Sequence, residues 1–160
     1  MARSPIPSHL FALVVLRHSG RYLLVHEAKH GQTWYLPAGR VEPGEDFATA
    51  AVRETIEEAG VVPRLLGILR IEHACGVDPG AVAASRVRVV FLAEPAGATA
   101  PKRTADRHSL EARWVAPSEL HSLDLRHPEV HWLLEGVERG QAVLPLSAYV
   151  GQAASTEPSD

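Results

Sequence analysis

The stretch Gly39–Val61, GRVEPGEDFATAAVRETIEEAGV, decides how the rest of the chain is read. Its first part carries Gly39, Pro43 and Gly44, residues that mark a loop, and Asp46 then stands as an N-cap. A helix is predicted from about Phe47, and Gly60 followed by Pro63 supplies a doubled stop after about 13 residues. Ala48, Val52, Thr55 and Ala59 recur at helical spacing and form one small-residue face suited to close approach to a sheet. At 100° per residue, Glu54, Glu57 and Glu58 share an arc of about 100° and are expected opposite the face of Val52 and Ala59. Three carboxylates so placed repel one another, and a hard divalent cation taking oxygen ligands offsets that cost, with Mg²⁺ the natural candidate. The competing reading is a solvated charged face.

Upstream, Phe11–Arg17 and Arg21–His26 are aliphatic runs separated by His18, Ser19 and Gly20, which reads as a hairpin. The segment Trp34–Pro37 is extended and ends at its proline. Downstream, strands are expected at Arg64–Glu72, Arg86–Glu94 and Glu111–Val115. The connection Pro95–His108 is long and holds Lys102, Arg103 and Arg107, so it reads either as a functional lid or as a solvated loop. Val130, Leu133, Leu134 and Val137 give a second amphipathic helix stopping at Gly140. Residues 1–146 are expected to form a single domain, and 147–160 a flexible tail.

A chain of 160 residues with 46% apolar and 22% charged residues has the composition of one ordinary globular domain. Its net charge of -3 argues against duplex nucleic acid as the main partner. The run Leu10–Leu16 is too short to cross a bilayer. No cleavage site follows it, so neither a membrane anchor nor a signal peptide is expected. The single cysteine, Cys75, excludes an internal disulfide and fits a cytoplasmic protein. A small buried residue is the expected role for Cys75, and the nine histidines, His73 included, lack the paired spacing of structural zinc sites.

The order of residues in the opening stretch makes the carboxylates more than a surface face. Five residues separate Gly39 from Glu45, seven more precede Arg53 and Glu54, and the run ends Thr55, Ile56, Glu57, Glu58, Ala59, Gly60, Val61. This resembles the Nudix box, the signature of the Nudix hydrolase family, with all seven of its most specific positions matched. Thr55 replaces a larger aliphatic residue, a departure bearing on packing. Trp34–Glu45 and Val87–Pro95 are similar to the MutT-like branch, which includes diphosphatases of oxidised guanine nucleotides. The resemblance implies an α/β/α sandwich on a mixed β-sheet, a monomer or homodimer, and hydrolysis of phosphoanhydride bonds in small nucleotide substrates with Mg²⁺, or Mn²⁺ in its place. It implies that Glu57 and Glu58 ligate metal, that the backbone carbonyl of Gly39 joins them, and that Glu54 is either a ligand or the general base. Arg53 lies four residues before Glu57 and is expected to orient the cluster, with Glu45 fixing the loop that presents Gly39. Arg40 is a candidate phosphate contact or a solvated arginine.

MutT-like relatives also carry an acid shortly before the position of Trp114. Here His108 stands in that neighbourhood, so either Glu111 or Asp106 substitutes or the acid is missing. Rival functions are a non-catalytic nucleotide-binding module on the same fold and an ADP-ribose or nucleotide-sugar pyrophosphatase; Pro79 comes near the spacing associated with ADP-ribose. An isoprenoid diphosphate isomerase would need Cys75 as its catalytic cysteine. Trp34 and Tyr35 are candidates either for gripping a base or for core packing.

Overall fold

The computed structural model describes residues 5–78 and 82–151. Strands β1 (Ser8–His18) and β2 (Arg21–Glu27) form the expected hairpin, paired at Arg17↔Tyr22 and His18↔Arg21. Ser19 and Gly20 make its turn with φ of 49° and 72°, the two positive values that a tight right-twisted hairpin turn requires. Beyond this turn the two strands diverge. Strand β3 (Trp34–Tyr35) pairs with β2, and β4 (Ala38–Arg40) pairs with β1. Pro37 ends the first of these as expected, and its carbonyl accepts the Val14 N–H at 3.0 Å.

Strands β5 (Pro63–Asp78), β6 (Val82–Pro95), β7 (Ser109–Val115) and β8 (Leu144–Pro145) complete a sheet of order β3-β2-β1-β6-β5-β8, with β4 also on β1 and β7 on β2. The β1–β6 pair is parallel and the other named strand pairs are antiparallel, so the sheet is mixed. Strand β1 is buried on both faces and therefore reads as a continuous apolar run. Its Leu13 and Val15 join Val130, Leu133, Leu134 and Val137 of helix α2 (Glu129–Glu138), while Ala12, Val14 and Leu16 join Ala50, Ala51 and Ala59 of helix α1 (Phe47–Ala59). One helix covers each face, which is the expected α/β/α sandwich.

Helix α1 has the expected bounds. Asp46 accepts the Thr49 N–H at 2.8 Å, and Gly60 closes the helix in the left-handed region at φ 71°. Its buried face is rotated from the one expected: Ala50, Ala51, Thr55 and Ala59 are buried, whereas Ala48 and Val52 are only partly covered. Glu54 projects between Ala50 and Ala51, so it flanks the buried face instead of opposing it. Thr55 is fully buried, and its hydroxyl donates to the Ala51 carbonyl at 2.7 Å, which satisfies the polar atom that replaces an aliphatic side chain.

Strands β5 and β6 run past their expected ends as a two-stranded arm, paired from Pro63↔Pro95 to Asp78↔Val82. Cys75 lies on this arm and is exposed, not buried as expected, with its Sγ 3.7 Å from His73 Nε2. The arm extends beyond the helices, so apolar character there does not bring burial. Pro79 lies outside the described residues. The expected tail also starts later than residue 147: Leu146 and Tyr149 pack on the α1 side of the core, and Tyr149 Oη accepts the Phe47 N–H at 3.0 Å. Residues 152–160 lie outside the described residues. No helix among the described residues is long and apolar enough to cross a membrane.

Candidate active site

Arg53 organises the acidic end of the site. Its guanidinium meets Glu45 in a two-pronged pair, Nε to Oε1 at 2.7 Å and Nη2 to Oε2 at 2.9 Å. The remaining nitrogen, Nη1, donates to Glu54 at 2.8 Å and Glu57 at 3.2 Å, and Nη2 also reaches the Arg40 carbonyl at 2.9 Å. The planar fork of an arginine suits this task, because one side chain satisfies three carboxylates and a loop carbonyl in fixed directions. Glu45 in turn accepts the Glu42 N–H at 3.1 Å, closing the Gly39–Glu45 loop on itself. Hydrogen bonding from Arg53 holds the Glu45 carboxyl below its ordinary value.

Gly39 lies under Glu54. A Cβ at residue 39 would overlap the Glu54 carboxylate, so glycine is needed for close approach, not for an unusual backbone conformation. Burial pushes the Glu54 carboxyl up, with Arg53 partly opposing it. Glu58 is more deeply placed. Its Oε2 accepts the Ala38 N–H at 3.0 Å, but burial, with Glu54 and Glu27 nearby, raises its pKa to about 8.

Glu58 opens on a cleft of about 330 Å³ where β1 and β2 diverge. Phe11, Ala38, Gly39 and Arg40 line one side, with Glu27, Lys29 and His30 across from them and Arg107, His108 and Arg126 coming from far along the chain. The Arg40 guanidinium lies 5.6 Å from the Phe11 ring centroid, and the Arg126 guanidinium lies 4.9 Å from that of Tyr35. The cleft lining holds four cations, Lys29, Arg40, Arg107 and Arg126, against the two carboxylates Glu27 and Glu58, an excess of positive charge that suits a polyanionic ligand. A larger cleft near Arg17, Tyr22 and Glu138, about 430 Å³, contains none of the box residues.

The sequence reading brought Gly39, Glu45, Arg53, Glu54, Glu57 and Glu58 together, and the fold gathers them along the side of α1 that faces the Ala38–Glu45 segment. It missed Glu27. This carboxylate is buried and takes a 2.8 Å hydrogen bond from Arg126; burial pushes it up. The available signal was an acid ending the apolar run Tyr22–Val25, where a bulge between His26 and Glu27 changes the register against β7. Of the two alternative acids, Asp106 is taken up by Lys102 and two backbone N–H groups, and Glu111 pairs with Arg113; neither lines the cleft. Trp34 and Tyr35 are buried in the core on the α2 side, which accounts for them as packing.

A family model described as NUDIX domain matches residues 8–135, and the chain belongs to that family. It is 38% identical over 121 residues to a Mus musculus protein named 8-oxo-dGDP phosphatase NUDT18, covering 71% of this chain and 35% of that one. It is 33% identical over 150 residues to a Mycobacterium tuberculosis protein named putative 8-oxo-dGTP diphosphatase 3, covering 92% and 63% respectively. The chain thus spans about a third of the length of the mouse relative. A solved NUDIX hydrolase from Nitrosomonas europaea superposes with a TM-score of 0.75 at 25% identity, over 92% of this chain and 99% of that one. These relatives place the chain among the MutT-like members of the family.

Proposed function

We propose that the protein is a Mg²⁺-dependent hydrolase of phosphoanhydride bonds in nucleoside di- or triphosphates, with oxidised guanine nucleotides as the favoured class, and that residues through Gly151 act as one domain. The observation that carries this reading is Glu58, a largely enclosed carboxylate near Glu54 that opens on a cleft where Lys29, Arg40 and Arg107 supply positive charge. The printed names of the mouse and mycobacterial relatives favour the oxidised guanine class.

Nudix hydrolases generally need divalent metal ions. Among the described residues, no three acidic, histidine or cysteine side chains converge as they stand on one ion position. Arg53 draws Glu54 and Glu57 to its guanidinium, and Glu58 turns to the Ala38 N–H. The donor set nevertheless fits a hard cation: all its side chains are carboxylates, and Glu58 forms no ion pair among the described residues, with Lys102 opposing its burial only weakly. Glu57, Glu58 and the Gly39 carbonyl would hold the metal, with Glu54 as a further ligand or as the base. When bound, the metal neutralises charge on the phosphate oxygens and lowers the pKa of an attached water.

The chain's own residues do the remaining work. Burial makes the Glu54 carboxylate a stronger base than a solvated one, in the direction general-base catalysis needs. Arg53 and Glu45 hold that carboxylate against Gly39. Arg40, Lys29 and Arg107 offer positive charge to the polyphosphate.

A screen for nucleoside monophosphate formation with Mg²⁺ over guanine, oxidised guanine and adenine nucleotides, ADP-ribose and nucleotide sugars tests the proposal. The monophosphate is expected first from oxidised guanine di- and triphosphates, and none formed from any compound would leave the non-catalytic module as the better reading. A Gly39→Ala protein separates site geometry from folding. The added methyl meets the flexible end of Glu54, so the unfolding temperature should move by only about 2–4 °C, corresponding to about 1 kcal/mol. Turnover should fall ~10²-fold, because a displacement near 1 Å at a reacting group carries that cost. Unchanged turnover would remove Glu54 from the reaction.

A further inference from the structure

The last turn of α1 is held from outside by one loop. Gly60 already provides the ordinary helix stop, its N–H donating to the Ile56 carbonyl at 2.9 Å. The next three carbonyls would face solvent in an isolated helix. Here the Glu57 carbonyl accepts Lys102 Nζ at 2.8 Å, the Glu58 carbonyl accepts Ser109 Oγ at 2.6 Å, and the Ala59 carbonyl accepts the Lys102 N–H at 2.8 Å. The donors all belong to the 99–109 segment, itself anchored where Trp114 Nε1 donates to the Thr99 carbonyl at 2.6 Å and the Ala112 N–H donates to Lys102 O at 2.8 Å. The connection is therefore tethered to α1 and β7, although residues 103–107 remain exposed.

Asp106 ties this segment together. Its two oxygens each accept Lys102 Nζ at 2.9 Å, and Oδ1 also takes the N–H groups of His108 at 2.8 Å and Ser109 at 3.1 Å. The same turn sets His108 Nδ1 3.6 Å from the Glu57 carboxylate, and it carries Arg107 and His108 into the cleft. Two of the three residues whose carbonyls are gripped, Glu57 and Glu58, also carry carboxylates of the site.

We propose that Lys102 and Asp106 are positioning residues for Glu57 and Glu58: they clamp the C-terminal turn of α1 and lock it to the cleft wall that receives the nucleotide. The ammonium also sits at the negative end of the helix dipole, where a cation is favoured. Positioning of this kind matters because reacting groups tolerate only fractions of an ångström of drift. This rests on the carboxylate helix being the reacting site, and the test separates failure of the clamp from failure of that reading.

Full-length wild type, Lys102→Met, Asp106→Asn and Lys102→Arg are compared by amide hydrogen exchange and by steady-state kinetics. In Lys102→Met and Asp106→Asn, exchange of the amides of residues 57–61 should accelerate ~10-fold or more while the β1–β6 amides keep their protection, as expected for local opening. In the same proteins kcat should fall ~10–100-fold, the range typical of residues that orient ligands of a site, with KM held within ~3-fold. Lys102→Arg retains the charge and enough donors for both the Glu57 carbonyl and the Asp106 carboxylate, so it should recover most of the kcat lost in Lys102→Met. Unchanged exchange at 57–61, exchange rising throughout the sheet, or loosened exchange with normal kcat would each overturn the clamp. A wild type that hydrolyses none of the nucleotides overturns the hydrolase reading, and the exchange pattern still decides whether the turn is clamped.

Discussion

A Glu58→Gln protein is expected to lose hydrolysis by a factor of ~10²–10³ or more, because it gives up charge where phosphate oxygens must be neutralised. The same protein should be more stable than wild type when measured in chelator at pH 8. Glutamine keeps an oxygen that can accept the Ala38 N–H but removes the buried charge. The pKa of about 8 in the folded state stands against an ordinary value of 4.5, so the folded protein retains a proton that the unfolded chain releases. The stability contributed by this group is fully present below the unfolded pKa and is lost as pH rises through about 8. Wild type in chelator should therefore weaken between about pH 5 and pH 8, and Glu58→Gln should lack that decline. At pH 8 the difference should be about 2–3 kcal/mol, or roughly 5–10 °C in unfolding temperature for a domain of this size. Adding Mg²⁺ should raise the unfolding temperature of wild type and leave that of the variant nearly unchanged. Both proteins should keep an acid limb, since Glu45 is held below its ordinary value and its contribution is lost as pH falls. Thermal scans at pH 5, 6, 7 and 8, with chelator and with Mg²⁺, check all of this. A variant less stable than wild type at pH 8 would sink the assignment of Glu58 as a carboxylate whose burial outweighs the Ala38 N–H and Lys102 that oppose it.

The parts of this protein that were legible in the sequence are those where one residue pattern has one physical solution. The β1–β2 hairpin follows from two aliphatic runs around Ser19 and Gly20, and α1 follows from Asp46 and Gly60, whose capping geometry is the one observed. Helix orientation was harder to read. Ala50 and Ala51 carry little hydrophobic signal, so Val52 dominated the expected face even though small residues are what allow the helix to approach the sheet. Strand β4 was missed because Ala38–Arg40 is too short for periodicity, and it forms only because the diverging β1 and β2 leave an edge to fill. The same divergence opens the cleft. Glu27, Arg107 and Arg126 reach it through the β2–β7 pairing and the loops around it, a relation between residues some 80 to 99 positions apart that no local pattern encodes. Cys75 was misread for the opposite reason: its apolar neighbours belong to an arm that extends past the helices.

Replacing Arg53 with alanine should produce the largest combined loss of stability and turnover. Glu45, Glu54 and Glu57 all depend on this guanidinium, and their side chains are largely enclosed, with exposures of 16%, 14% and 33%. Removing it leaves three carboxylates facing one another without a counter-charge, and breaking a fully buried pair this way costs about 3–5 kcal/mol. The partial exposure here reduces that to about 2–3 kcal/mol, or roughly 5–10 °C in unfolding temperature. Turnover should fall ~10²-fold or more, because Glu54 loses the contact that holds it over Gly39 and the Arg40 carbonyl is released with it. Arg53→Lys decides between charge and geometry. A lysine supplies the positive charge but cannot span Glu45, Glu54 and the Arg40 carbonyl at once, so it should restore about half of the lost stability and little of the turnover. Thermal unfolding and kinetics of the two variants provide the comparison. If Arg53→Lys matched wild type in turnover, the guanidinium would be only a counter-ion and the fixed geometry argued for the carboxylates would fall with it. Mg²⁺ should narrow the stability gap of Arg53→Ala, since a divalent cation can replace the lost counter-charge between Glu54 and Glu57. It should not restore the rate, because Glu45 and the Gly39–Glu45 loop remain unfastened.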